Sequence, residues 1–230
     1  EIDGDKHTVL MVQVENEVGF LPFAREGGNG SDLSADERGA ASAYARYVEA
    51  VAKAGKREYP LPMYVNGAQA RPNAKPGDAP SGGPLAHLAG EWRKGAPSLD
   101  FLAPDIYFPN FGEIADGYVR VGQPLFVPEA NRPGDAALVA NAMRSVGTLD
   151  AIGFSPFAIE DASEADAKRI AALYGTLGSI APLVLQAQSE GRIAGFSNPV
   201  SFAGAADLSP LKATLGEARF TATTIDPWTA

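Results

Sequence analysis

Thr8 to Phe20 reads T-V-L-M-V-Q-V-E-N-E-V-G-F, and its reading decides the fold. Val9, Leu10, Met11, Val12 and Val14 make an apolar, β-branched run. Such a run predicts a strand buried on both faces, as in a parallel sheet. It stops at Glu15-Asn16-Glu17, which places two carboxylates and an amide where the strand leaves the core. Pro124-Leu125-Phe126-Val127-Pro128-Glu129 repeats the design far downstream and is followed by Ala130-Asn131-Arg132. One carboxylate ending a buried strand is ordinary. Two of them, separated by strand-helix units, predict a pair of acids facing one pocket.

Between and beyond these strands the pattern alternates. Ser34 and Glu37 have capping-box spacing, and they predict a helix with Ala40, Ala41, Tyr44, Tyr47, Val48 and Val51 inward, closed by Gly55. Leu61 to Val65 predicts the second strand, ending at Asn66-Gly67. Residues 67 to 83, rich in Pro and Gly, predict a long loop of the kind that usually carries function. A helix with Leu85, Leu88 and Trp92 inward follows, then a third strand over Leu99 to Phe108. A short helix near Glu113 to Val119 leads into the fourth strand. Asp135 predicts a cap for a helix closed by Gly147, and residues 151 to 157 form the fifth strand. Ser163 and Asp166 open the last long helix, which Pro182 is expected to break.

Five βα repeats with polar residues at every strand end (Glu17, Asn66, Tyr107, Glu129, Ser155) predict an α/β fold. Function at all the strand ends favours a (β/α)₈ barrel over an open doubly wound sheet. A full barrel takes about 250 residues, so the expectation is the C-terminal part of one, strands four to eight. Three strands would then lie upstream of Glu1, and the opening without Met agrees with a processed or truncated start. The barrel part would occupy 1–195. From 196 to 230 the β-like runs without helices predict the start of a β-rich domain.

Composition narrows the function. Apolar residues make up 45% of the 230 residues and support a substantial core. The net charge of −9, with no basic run longer than Lys56-Arg57, argues against a nucleic-acid partner. Zero cysteines exclude disulfides, a thiolate nucleophile and Cys-based zinc sites. No apolar run is read as long enough to cross a membrane. The two histidines, His7 and His87, give no support to a metal site. Gly27-Gly28-Asn29-Gly30 does not follow the dinucleotide fingerprint.

Two carboxylates on one rim suit glycosidic bond cleavage: one donates a proton to the leaving oxygen, and the other attacks or activates water. Asn16 is placed to bond a sugar hydroxyl beside the reacting carbon. Tyr107 is placed to hold the second carboxylate ionised through a hydrogen bond. Asn66 and Asn131 are further candidates for sugar contacts, and Phe154 with Phe157 for an apolar wall. Core or turn roles are the bland alternatives for these four. Glu15 is expected to lie one layer deeper, as a buried hydrogen-bonding acid or one that contacts substrate from below, Asp105 to be structural, and Trp92 to be core. For Glu160 a hydroxyl contact and a helix cap stay equally open.

V-Q-V-E-N-E-V-G (12–19) resembles the acid/base strand of family 35 glycoside hydrolases, the retaining β-galactosidases of clan A. Members of that clan carry an Asn-Glu pair ending barrel strand four and a nucleophilic Glu ending strand seven. Asn16-Glu17 matches the first and Pro128-Glu129, three βα units later, the second. A-P-D-I-Y (103–107), P-L-F-V-P-E-A-N (124–131) and G-F-S-P-F-A-I-E (153–160) resemble a bacterial branch in which a β-rich domain follows the barrel. The resemblance covers roughly residues 5 to 190. It implies Glu17 as general acid/base, Glu129 as nucleophile, a terminal β-galactoside as substrate and no metal or organic cofactor. It leaves homo-oligomerisation open and favours a periplasmic or secreted setting. Competing expectations are a family 42 β-galactosidase, a β-glucosidase-like enzyme, or a carbohydrate-binding barrel without catalysis.

Overall fold

The structure is a computed structural model that describes residues 3–20 and 33–226. The expected glycine-rich loop from Arg25, with Gly27 to Gly30, lies outside the described residues. Contacts divide the chain into two compact units, Glu1–Asp105 and Ile106–Ala230.

In the first unit, β1 (Val12–Gln13), β2 (Met63–Ala68) and β3 (Phe101–Ile106) pair in parallel. Val12 lies opposite Met63, and Tyr64 through Ala68 lie opposite Phe101 through Asp105. All six positions of β2 and of β3 are buried, as strands covered on both faces require. β1 departs from its expectation. Only two residues are strand, Leu10 is 71% exposed, and Val14 alone of the run is buried. Two local reasons account for this. β1 takes its ladder bonds from β2, through Val12 N to Pro62 O and Val14 N to Tyr64 O. Upstream, the amides of Thr8 and Val9 turn aside to donate to Asp3.

α1 (Leu33–Glu58) starts before Ser34 and runs through Gly55 rather than ending there. Its buried stripe is Glu37, Ala41, Ala45, Val48 and Ala52, with Tyr47 and Val51 exposed. Small side chains win that face because the neighbours come so close. A Cβ on Gly95 of α2 (Ala89–Gly95) would meet Ala45 Cβ at 2.6 Å, and one on Gly55 would meet Met63 Cε at 2.7 Å. Leu85, Leu88 and Trp92 are buried as expected. Trp92 Nε1 donates to the carbonyls of Gly82 (3.2 Å) and Gly83 (2.8 Å), tying the long loop to α2.

The second unit contains α3 (Phe111–Arg120), β4 (Phe126–Ala130), α4 (Leu138–Thr148), β5 (Gly153–Pro156) and α5 (Glu164–Ser189). β4 and β5 pair in parallel, with a register shift between Val127 and Ala130 that brackets Pro128 and Glu129. Pro128 has no N–H for the ladder, so an irregularity falls naturally there. α4 begins three residues after Asp135, whose Oδ1 accepts from Ala137 N at 2.9 Å and so braces the turn entering the helix. α4 also continues past Gly147 because Gly147 serves packing: a Cβ there would meet the Gly195 backbone at 2.9 Å.

α5 is capped by Ser163, whose Oγ accepts from Asp166 N at 3.2 Å. Pro182 sits inside it instead of breaking it. Its ring frees the carbonyl of Gly178, a residue that adds no side chain to the crowding. α5 also corrects the apolar-run reading: by length and composition alone it is long and apolar enough to cross a membrane. Its first half buries Ile170 and Leu173, while Leu183 and Leu185 are exposed. β6 (Leu211–Leu215) and β7 (Ala218–Ala222) form an antiparallel hairpin whose two-residue turn opens with Gly216 at φ 60°. The segment before the hairpin stays with this unit, Phe108 meeting Phe202 edge-on at 5.1 Å. The chain is thus an α/β protein of parallel strands alternating with helices.

Candidate active site

The end of β1 is a tight bend rather than a simple strand terminus. Glu15 (φ 61°) and Glu17 (φ 46°) both take left-handed backbone, which residues with side chains adopt infrequently. Glu17 is half-buried and Asn16 is exposed. Glu15 is not the deeper acid expected from alternation. It is exposed, because the bend breaks the period of two, and its Oε1 accepts from Tyr47 on α1 at 2.6 Å. That bond pushes the Tyr47 hydroxyl pKa up.

Behind the bend stands Asn66. It is fully buried, so it does not contact sugar directly as the sequence pattern suggested. Its Oδ1 accepts from Glu17 N at 3.1 Å, and its Nδ2 donates to Asn16 Oδ1 at 2.9 Å and to Asp105 Oδ2 at 2.7 Å. The turn after Glu17 rests on the long loop through Ser81 N to Gly19 O, 2.9 Å. Gly19, at φ 88°, and Gly83 approach so closely that a Cβ on either would lie under 3 Å from the other segment's backbone.

In the second unit, Glu129 sits half-buried in the irregular part of β4, where a shift of register re-aims a side chain. The hydroxyl of Tyr107 donates to its Oε2 at 2.7 Å. Asn131, at φ 49°, is buried and committed to the following turn. It donates to Asp135 Oδ2 at 2.7 Å and accepts from Asn141 Nδ2 at 2.9 Å, which leaves it poorly placed for a ligand. Phe154 is 6% exposed and packs on Phe111, so it belongs to the core. Phe157 is the open aromatic of the expected wall. It meets Tyr107 edge-on at 5.7 Å, with the Arg132 guanidinium 5.5 Å above its ring. Its N–H still bonds the carbonyls of Ala130 (3.3 Å) and Asn131 (3.0 Å), so the backbone stays tied to the end of β4 while the ring is exposed. Glu160 is exposed in a short 3₁₀ turn, and His87 pairs with Glu37 at 3.1 Å.

No family model matches the chain, and no curated protein matches it.

Proposed function

We propose that the chain is the strand-four-to-eight part of a (β/α)₈ barrel of a retaining exo-β-galactosidase, with the opening of a β-rich domain after it. The observation that carries this reading is the 2.7 Å bond from Tyr107 to Glu129 at the irregularity of β4. A carboxylate turned out of the ladder and oriented by a phenol is what a nucleophile requires. The Asn16-Glu17 pair at the end of β1, another parallel strand, supports the acid/base assignment.

In this mechanism Glu17 protonates the leaving oxygen while Glu129 attacks the anomeric carbon, giving a covalent glycosyl-enzyme. Glu17, now a base, takes a proton from the water that releases galactose with retention. Such chemistry places the two carboxyl groups about 5 to 5.5 Å apart. Asn16 bonds the hydroxyl beside the reacting carbon, Phe157 lines the subsite, and no metal or organic cofactor takes part.

A panel of nitrophenyl glycosides, with the anomer of the first product read by NMR, tests this. Hydrolysis of the β-galactoside with retention is the expected result. Cleavage of the glucoside alone overturns the substrate, and cleavage of none overturns the enzyme.

A further inference from the structure

The hydrogen bonds at the end of β1 allow one arrangement of protons, and the acid/base side chain depends on it. The Glu17 N–H can only donate, so the atom of Asn66 facing it at 3.1 Å is Oδ1. The Asn66 Nδ2 then points at Asn16 and Asp105, whose facing atoms must accept. On Asn16 the accepting atom is Oδ1, and Gln13 Nε2 donates to that same oxygen at 3.1 Å while also bonding Glu15 O. The Asn16 Nδ2 hydrogens are left facing outward, with no partner among the described residues.

We infer that Asn66 and Asp105 are positioning residues. Together they fix Asn16 as a hydrogen-bond donor towards the substrate and hold the Glu17 backbone in its left-handed bend. Neither touches substrate: Asn66 is 0% and Asp105 2% exposed. Asp105 anchors the Asn66 amide and Asn66 orients two neighbours, so the order set in β3 reaches the bend after β1. Without the anchor only the Glu17 N–H and Asn16 hold the Asn66 amide against turning over. Turned over, its NH₂ would oppose the Glu17 N–H, and Asn16 would flip to present an oxygen. The consequence for catalysis rests on the galactosidase reading above, whereas the geometry does not.

Two arms of one experiment separate them. In the first, Asn66→Ala is crystallised. Glu17 leaving the left-handed region is expected, and a bend unchanged in its backbone overturns the inference. In the second, wild type, Asn66→Ala, Asp105→Asn and Asp105→Leu are assayed on methyl, phenyl and 2,4-dinitrophenyl β-galactosides. The dinitrophenolate leaves without a proton, so a misplaced acid hurts it least. For Asn66→Ala and Asp105→Leu, kcat/KM with the methyl and phenyl substrates should fall about 10- to 100-fold further than with the dinitrophenyl one. Asp105→Asn keeps an accepting oxygen and should restore the wild-type leaving-group dependence. Equal losses on all three substrates, or no difference between Asn and Leu at position 105, overturn the inference. Should Asn66→Ala not fold, the Asp105 pair decides it alone. A wild type that cleaves none of the galactosides removes the enzymatic reading, and the crystal structure of Asn66→Ala, or of Asp105→Leu, then judges the positioning.

Discussion

The Tyr107 hydroxyl meets Glu129 Oε2 at 2.7 Å, joining the residue just after β3 to the irregular turn of β4. Hydrogen bonds to charged groups contribute about 1.5 to 3 kcal/mol. Tyr107→Phe removes this one while keeping the ring against Phe157. We expect kcat/KM for aryl galactosides to fall about 10- to 100-fold, while the melting temperature falls only a little, because water reaches this exposed pair and replaces the lost bond in the free protein. A loss in stability without a loss in rate would make Tyr107 a packing residue instead.

If Glu129 is the nucleophile of the proposed mechanism, Glu129→Gly should reduce turnover by at least about 10³-fold. Added azide should then restore activity and yield the α-galactosyl azide, because a small anion can enter the space of the missing carboxylate. Activity that stays absent at high azide, alongside weakened sugar binding, would assign Glu129 to binding rather than attack.

Two glycines should respond oppositely to alanine. At Gly147 the new Cβ meets the Gly195 backbone at 2.9 Å, which cannot step aside cheaply. Gly147→Ala should cost about 1 to 3 kcal/mol. At Gly55 it meets only the mobile end of Met63, at 2.7 Å, and helix propensity returns up to about 1 kcal/mol. Gly55→Ala should therefore be near neutral or mildly stabilising. Urea midpoints of the two variants give the comparison directly, and the reverse order would show that the backbone at Gly195 steps away from α4 more easily than Met63 yields to α1.

Asp3 should make the protein acid-sensitive in a defined window. The Thr8 hydroxyl first, then the Tyr59 hydroxyl at 2.8 Å, hold its carboxyl at about 2 instead of its ordinary 3.8. A depressed folded-state pKa means stability that is full above pH 4 and is lost as pH falls from about 4 to 2. Asp3→Asn should melt lower than wild type at pH 5, with the gap closing by pH 2. A gap constant across that range would deny Asp3 its role in anchoring the start of β1.

The alternation of strands and helices was legible from periodicity alone, because burial against a layer imposes periods near 2 and 3.6 on any chain. The closeness of packing was not. Gly55 and Gly147 look like helix ends by composition, yet they lie inside α1 and α4, where another segment passes within van der Waals reach. Tyr47 and Val51 look inward by spacing. The close approach of α2 gives the interior to Ala41 and Ala45 instead.

By itself the sequence determined the α/β class and the placing of Glu17, Tyr107 and Glu129 near strand ends. These follow from local pattern, which neighbouring residues along the chain suffice to state. Only the tertiary structure decided that Asn66 and Asn131 serve the scaffold, that Phe157 rather than Phe154 is exposed, and that the β1 terminus bends through two left-handed residues. Each of these depends on which groups from distant segments fill the available hydrogen bonds and space, and no local pattern carries that information.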